Sequence, residues 1–185
     1  LAGTGIMTFS AKQMSGMTFN IQGTATATTD ILKVVGVAST TAIDLSGLVM
    51  DQTITKGISK VTIDASASSA AVTIKGSSVA DTITVNGTIV SPNTITAGAG
   101  ADNITLAGVG AADKVVYAAT TGAALKTESA GALGVNATTA PVYTVDSKGD
   151  TVASFTSGVD KIALSLALGT AGASGGLVAS AGTSY

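Results

Sequence analysis

Short alternations of branched apolar residues with polar residues run through most of the chain. The clearest are three-residue units between residues 60 and 117, whose Ile or Val positions are 63, 74, 83, 95, 104 and 115. An apolar residue at every second position predicts a strand with one buried face, and the spacing typical of helices is almost absent. The predicted strands are residues 17–21, 31–37, 41–45, 53–55, 61–64, 72–75, 82–85, 94–96, 103–106, 114–117, 142–145, 151–155 and 161–168.

The branched positions between residues 60 and 117 recur at steps of 11, 9, 12, 9 and 11 residues. A unit this short has room for one strand and one turn, and it cannot bury its apolar row alone. Stacking solves this problem if two units form one coil of about 20 residues, with Ile and Val facing inward and Thr facing outward. The sequence therefore predicts an all-β fold, a parallel β-roll or β-helix solenoid with short strands and Gly/Asp turns.

The pattern changes along the chain and divides it into four parts. Residues 1–60 are a Thr- and Ala-rich strand segment that we expect to continue into the solenoid, and residues 61–117 are the repeat itself. Residues 118–141 have the weakest strand pattern and are interpreted as an irregular insertion. Residues 142–185 return to short strands and end in a Gly-rich tail.

Composition narrows the chemistry that such a solenoid can support. The chain of 185 residues has no Cys and no His, and all nine of its cations are Lys. Zinc sites of the usual kind and catalysis by imidazole or thiol groups are therefore excluded, and we expect no enzyme. A formal net charge of −2 without any Arg argues against nucleic-acid binding. The alternation and the glycines of residues 162–185 argue against membrane insertion.

The turn at residues 97–105 carries the most specific motif and reads AGAGADNIT. It resembles the nonapeptide G-G-x-G-x-D-x-U-x of RTX calcium-binding β-rolls, where U is a large aliphatic residue; Ala97 replaces the first Gly. Glycines let carbonyl oxygens converge, and the aspartate adds a charged oxygen of the kind that calcium prefers. The resemblance implies calcium ligands at Gly98, Gly100 and Asp102. The alternative is an ordinary glycine turn whose aspartate bonds its own backbone.

Neighbouring turns repeat this motif in weaker form. The further candidate ligands that they supply are Asp81, Asn93, Gly108, Gly110 and Asp113. Because successive turns of a roll alternate between its two edges, we expect Asp81 and Asp102 on one edge and Asn93 and Asp113 on the other. The first edge has two carboxylates and is the better predicted calcium site, while the second is expected to be weaker or empty.

A second resemblance covers residues 147–164, which are similar to the unit that closes many RTX regions. The matching positions are Gly149, Asp150, Val152, Phe155, Gly158, Asp160, Lys161, Ile162 and Leu164, and Ser154 stands where the pattern has an Asp. Asp150 and Asp160 are further metal candidates, with ordinary surface turns as the alternative. Phe155 is expected to be a core or packing residue.

The resemblance implies a protein that is exported by a type I system and folds outside the cell when calcium is available. The excess of small residues and the acidic balance are similar to those of bacterial surface-layer proteins. We therefore expect a structural protein of the bacterial cell surface, whose partners are further copies of the chain. Cell-surface polysaccharide is a further candidate partner.

Three other functions are compatible with parts of the pattern. An adhesin or ligand-binding module of a secreted RTX protein would display residues 118–141 as a recognition loop. Repeated Thr-x-Thr sequences on a flat face are also found where a solenoid binds ice, although Thr suits any exposed strand. A fragment of a secreted hydrolase would need catalytic groups that the sequence does not reveal.

Overall fold

The computed structural model describes residues 5–22, 30–50, 58–88, 91–106, 110–117 and 150–164. Thirteen strands and one short helix, α1 (Ala11–Met14), make up these parts of the chain. The strands are β1 (Ile6–Ser10), β2 (Phe19–Ile21), β3 (Asp30–Val35), β4 (Ala42–Asp44), β5 (Leu48–Met50), β6 (Ile58–Ala65), β7 (Thr73–Lys75), β8 (Asp81–Val85), β9 (Thr94–Thr96), β10 (Asn103–Thr105), β11 (Lys114–Tyr117), β12 (Thr151–Ala153) and β13 (Lys161–Leu164). Within the described ranges, no helix is both long enough and apolar enough to cross a membrane.

The strand pairs in these parts of the chain are all parallel. The first sheet has the order β1-β3-β6-β8-β10-β12, the second has the order β13-β11-β9-β7-β4, and β2 pairs with β5 in a small third sheet. From β6 onward, consecutive strands alternate between the first and the second sheet, so each strand from β8 to β13 pairs with the strand two elements before it. The predicted all-β, parallel and solenoid-like architecture is therefore confirmed.

The inward face of each sheet contains a row of branched residues in register. The rows include Ile63, Ile83 and Ile104 in the first sheet and Ile74, Ile95 and Val115 in the second. All six side chains are fully buried. They are the six positions whose spacing defined the repeat, so the sequence pattern identified this core correctly.

The outward faces carry Thr and charged residues, as the alternation predicts. Two ion pairs join neighbouring strands there: Lys33 Nζ lies 3.6 Å from Asp64 Oδ2, and Lys75 Nζ lies 2.9 Å from Asp44 Oδ2. Because both pairs are partly exposed, each contributes only about 0–1 kcal/mol. The stack is therefore stabilised mainly by its inward rows.

Several strand boundaries differ from those predicted. β1 and β5 lie where the pattern predicted no strand, and β12 stops at Ala153 instead of residue 155. β6 begins at Ile58 and crosses the predicted division at residue 60, because it hydrogen-bonds to β3 on one side and to β8 on the other. The predicted strands at 53–55 and 142–145 lie outside the described residues.

Residues 118–149 are inserted between two neighbouring coils. From β6 to β11, equivalent positions in successive coils lie 20 or 21 residues apart, as Asp81 and Asp102 do. Across the insertion the separations are 48 and 47 residues, yet β12 pairs with β10 and β13 pairs with β11. The stack is therefore continuous through β13, and the predicted irregular segment 118–141 lies outside the described residues.

Replacing Ile83 with Ala should destabilise the stack strongly. Ile83 is fully buried between Ile63 and Ile104, so we expect a loss of about 2–5 kcal/mol in the free energy of unfolding. Thr84→Ala changes the next, outward-facing position of the same strand and should cost less than about 1 kcal/mol. Urea unfolding followed by circular dichroism measures both variants, and equal losses would contradict the inward assignment of Ile83.

Candidate metal centre

The acidic candidates from the sequence lie inside the stack, at or just before the start of strands. Five of these polar side chains expose 6% or less of their surface: Asp81, Asn93, Asp102, Asp113 and Asp160. Burying a carboxylate is costly unless it is hydrogen-bonded or loses its charge. The partners of each oxygen therefore decide what the cluster can do.

Asp81, Asp102 and Asp150 form a first ladder along the first sheet. The backbone N–H of Asp81 donates to Oδ1 of Asp102 at 2.8 Å, and the N–H of Asp102 donates to Oδ1 of Asp150 at 2.9 Å. The carboxylates of Asp102 and Asp150 thus each accept from the backbone of the preceding coil. The expected proximity of Asp81 and Asp102 is confirmed, and Asp150 joins them.

Asn93, Asp113 and Asp160 form a second ladder along the second sheet. The N–H of Asn93 donates to Oδ1 of Asp113 at 2.8 Å, and the N–H of Asp113 donates to Oδ1 of Asp160 at 2.9 Å. The Asn93 side chain extends this ladder, since its Oδ1 accepts from the N–H of Val72 at 2.9 Å. Sequence analysis paired Asn93 with Asp113 but did not connect Asp160, because residues 118–149 interrupt the period.

Some of these aspartates also bond their own turn. Oδ2 of Asp81 accepts from the N–H of Ser77 at 2.7 Å, and Oδ1 accepts from the Ser77 hydroxyl at 2.7 Å. In the same way, Oδ2 of Asp160 accepts from the N–H of Thr156 at 2.7 Å. The sequence pattern did not predict these roles of Ser77 and Thr156. Both are hydroxyl residues four positions before a turn aspartate, and this spacing could have identified them.

The turn before Asp102 has a different conformation. Gly98 and Gly100 have φ values of +101° and +133°, which side chains rarely adopt. The turn packs directly on the turn of the preceding coil, so a Cβ at Gly100 would lie 2.6 Å from the backbone nitrogen of Ala80. Both glycines are therefore required by the backbone and by the close stacking.

Two carboxylate oxygens in the first ladder have no partner. Oδ2 of Asp102 and Oδ2 of Asp150 are buried and accept no hydrogen bond within the described part of the chain. A buried acceptor left in this way costs about 1–3 kcal/mol. In the second ladder, no carboxylate oxygen in the described ranges is orphaned in this manner. One of the two oxygens without a partner, Oδ2 of Asp102, thus belongs to the RTX-like turn at residues 97–105.

The same environment disfavours the charged carboxylates. Burial raises the pKa of Asp102 to about 8, and the charges of Asp81 and Asp150 add to this effect. Burial likewise raises the pKa of Asp81 to about 7, although the hydrogen bonds from Ser77 oppose it. Burial also raises the pKa of Asp150, where the hydrogen bond from the Asp102 backbone and the nearby Tyr117 side chain act in the opposite direction.

The donor set of the first ladder suits a hard cation such as calcium. Its free atoms are carboxylate oxygens, and calcium takes six to eight oxygen ligands, among them backbone carbonyls and water. Among the described residues, no three acidic side chains form a metal-binding group by themselves, so backbone or water oxygens would have to complete the site. Gly110, at φ +109°, is exposed and belongs to the second edge, and Gly108 lies outside the described residues.

Two other features stand apart from the ladders. Phe155, expected to be a core or packing residue, is 39% exposed, so it is not a core residue. A cleft of about 300 Å³ lies beside α1 and is lined by Lys12, by Ser and Thr hydroxyls and by apolar residues of β3 and β4. None of the predicted ligands borders it.

Comparisons with family models, with curated proteins and with solved structures found no match for this chain. The interpretation of the ladders consequently depends on their geometry and on the residues that resemble RTX turns. The geometry identifies the first ladder as the candidate metal centre.

In calcium-free buffer, stability should decrease as the pH rises from about 5 to about 8. The folded-state pKa values of Asp81 and Asp102 lie far above about 3.9, the value for an unfolded chain. Their contribution is therefore complete below about pH 4 and is lost progressively until the pH passes about 7 and 8. The slope is at most about 1.4 kcal/mol per pH unit for each group. Urea unfolding in a chelator across this range measures it.

Asp102→Asn provides the control for this pH dependence. The amide keeps an oxygen for the N–H of Asp81 but does not titrate, so the slope should become shallower. Asp44 and Asp64 cannot mask the effect, because hydrogen bonds from Ser46 and Ser66 lower their pKa values and restrict their influence to acidic pH. An unchanged slope in the variant would show that Asp102 is not responsible.

Proposed function

We propose that the chain is a structural component of a secreted bacterial surface layer, a closed parallel β-roll that folds outside the cell when calcium is available. Three observations support this proposal. The strands stack as solenoid-like parallel sheets, the turn at residues 97–105 resembles an RTX calcium-binding turn, and the buried carboxylates are arranged coil upon coil.

The orphaned Oδ2 atom of Asp102 is the observation that carries the calcium part of the proposal. In the turns of Asp81 and Asp160, a backbone N–H four residues earlier occupies the corresponding oxygen. In the glycine turn, this oxygen accepts no hydrogen bond from any described residue, although Asp102 is only 1% exposed. A hydrogen bond to Oδ2 of Asp102, like the one from the Ser77 N–H to Oδ2 of Asp81, would make the glycine turn more stable.

The ladders also explain how a cation would control folding. Without a cation, the carboxylates of the first ladder must either hold protons or repel one another in a buried environment. A bound calcium ion would supply compensating positive charge. Because the ion would bind the folded chain and not the unfolded one, its binding would stabilise the stack, and this stabilisation would grow with the logarithm of the free calcium concentration once that concentration exceeds Kd. In a cytoplasm with little free calcium, the chain would remain easier to unfold and export.

Calcium should increase the sheet signal and the stability of the native chain at about pH 8. Asp102→Asn should be at least as stable as the native chain in chelator, since it removes a buried titrating group, but calcium should stabilise it far less. Asp44→Asn makes the same chemical change in an exposed ion pair outside both ladders, so it should respond to calcium as the native chain does. Circular dichroism and urea unfolding during a calcium titration measure all three. Identical responses of the native chain and Asp102→Asn would remove the calcium proposal.

The structural role predicts ordered assembly. Among the described strands, β1 and β12 are the outer strands of the first sheet and β13 is an outer strand of the second; Ile6 of β1 and Ile162 of β13 are more than half exposed. Unpaired strand edges of this kind favour association with further copies. Electron microscopy of the purified chain with calcium should show two-dimensional sheets, and their loss on chelation is the expected control. A dispersed protein that binds a glycan would favour the adhesin instead.

A further inference from the structure

We infer that the cation site lies between Asp102 and Asp150, across the junction that follows the insertion, and fastens the last described coil to the stack. That coil contains β12 and β13. This inference rests on the proposed calcium-dependent fold and differs from the sequence expectation, which placed the ion between Asp81 and Asp102.

The occupancy of the carboxylate oxygens distinguishes the two positions. Ser77 donates to both oxygens of Asp81, so that side chain has no oxygen without a protein partner. Within the described ranges, Asp102 and Asp150 each have one buried oxygen, Oδ2, that accepts no hydrogen bond, and the N–H of Asp102 donates to Oδ1 of Asp150. The two free oxygens therefore belong to neighbouring members of the ladder, on opposite sides of one coil junction.

The junction is also the place where the stack needs an additional interaction. β12 has three residues, and the backbone bonds that flank its pairing with β10 run from Thr151 N–H to the Asp102 carbonyl and from Leu106 N–H to the Ala153 carbonyl. Val152 is only partly buried, and Ile162 of the same coil is 53% exposed. Apolar burial thus holds this coil less firmly than the inner coils.

Chain connectivity adds to the cost of docking this coil. Asp102 and Asp150 are 48 residues apart, whereas Asp81 and Asp102 are 21 residues apart. Bringing together positions that are farther apart in the sequence costs more conformational entropy. A cation shared by Asp102 and Asp150 would remove the repulsion between their carboxylates and would join the two coils, so docking of the last described coil becomes dependent on the cation.

Asp160 provides a matched control within the same coil. Its Oδ1 accepts from the N–H of Asp113, as Oδ1 of Asp150 accepts from Asp102, but its second oxygen is occupied by the N–H of Thr156. Asp150→Asn and Asp160→Asn both keep an acceptor for the ladder hydrogen bond. Only the first variant removes an oxygen that the cation would use.

The test uses the full chain, with calcium alone as the probe. Isothermal titration should show calcium binding to the native chain, about tenfold or more weakened in Asp150→Asn and nearly unchanged in Asp160→Asn. Hydrogen exchange then follows the amides of Thr151 and Lys161, which bond across the junction, and the amide of Gly76, which bonds within the inner stack. Chelation should accelerate exchange at the first two far more than at the third. Circular dichroism verifies that both variants fold.

The outcomes separate this inference from the proposed function. Native calcium binding that Asp102→Asn abolishes and Asp150→Asn leaves intact would overturn the bridging site and keep calcium-dependent folding. Equal weakening by Asp150→Asn and Asp160→Asn would also overturn it, because the effect would then come from the coil and not from the free oxygen. Absence of calcium binding to the native chain would overturn both.

Discussion

Parallel, in-register stacking makes each inward position of one coil the neighbour of the same position in the next coil. An apolar residue repeated at such a position forms a continuous buried row, as Ile63, Ile83 and Ile104 do. An aspartate repeated at such a position would bring buried like charges together. The structure relieves this conflict by directing a backbone N–H from each coil to the aspartate of the next one. The properties of each ladder depend on whether the second oxygen of each carboxylate also accepts a hydrogen bond.

The two ladders differ in this respect. In the second ladder, the carbonyl of Asn93 replaces one charge, and the hydrogen bonds from Thr156 and Asp113 occupy both oxygens of Asp160. In the first ladder, the glycine turn at residues 98–100 leaves an oxygen of Asp102 without a donor. Burial and the neighbouring carboxylates then raise its pKa. Either a proton or a hard cation can neutralise the Asp102 carboxylate. The competition between the two for this carboxylate connects the fold to the proposed role of calcium.

The charge balance of the chain also has to be interpreted in three dimensions. The formal net charge of −2 counts every aspartate equally. Yet five of the described aspartates are buried, namely Asp30, Asp81, Asp102, Asp113 and Asp160. The two that face outward, Asp44 and Asp64, are paired with lysines. The outer surface of the described part is therefore less acidic than the composition suggests. The absence of arginine therefore weighs more against nucleic-acid binding than the net charge does.

The sequence by itself determined the periodicity and the residues of the inward rows. It also determined the pairing of Asp81 with Asp102 and of Asn93 with Asp113. The reason is that a period of two residues within a repeat of about 20 leaves few ways to bury Ile and Val. Only the tertiary structure decided that Asp150 and Asp160 complete the ladders. Their partners lie 48 and 47 residues away, and an insertion hides that relation from any local pattern. Likewise, the free oxygen of Asp102 depends on the backbone angles of Gly98 and Gly100 and on contact with the turn of the preceding coil. The spacing of residues in the sequence does not show either feature.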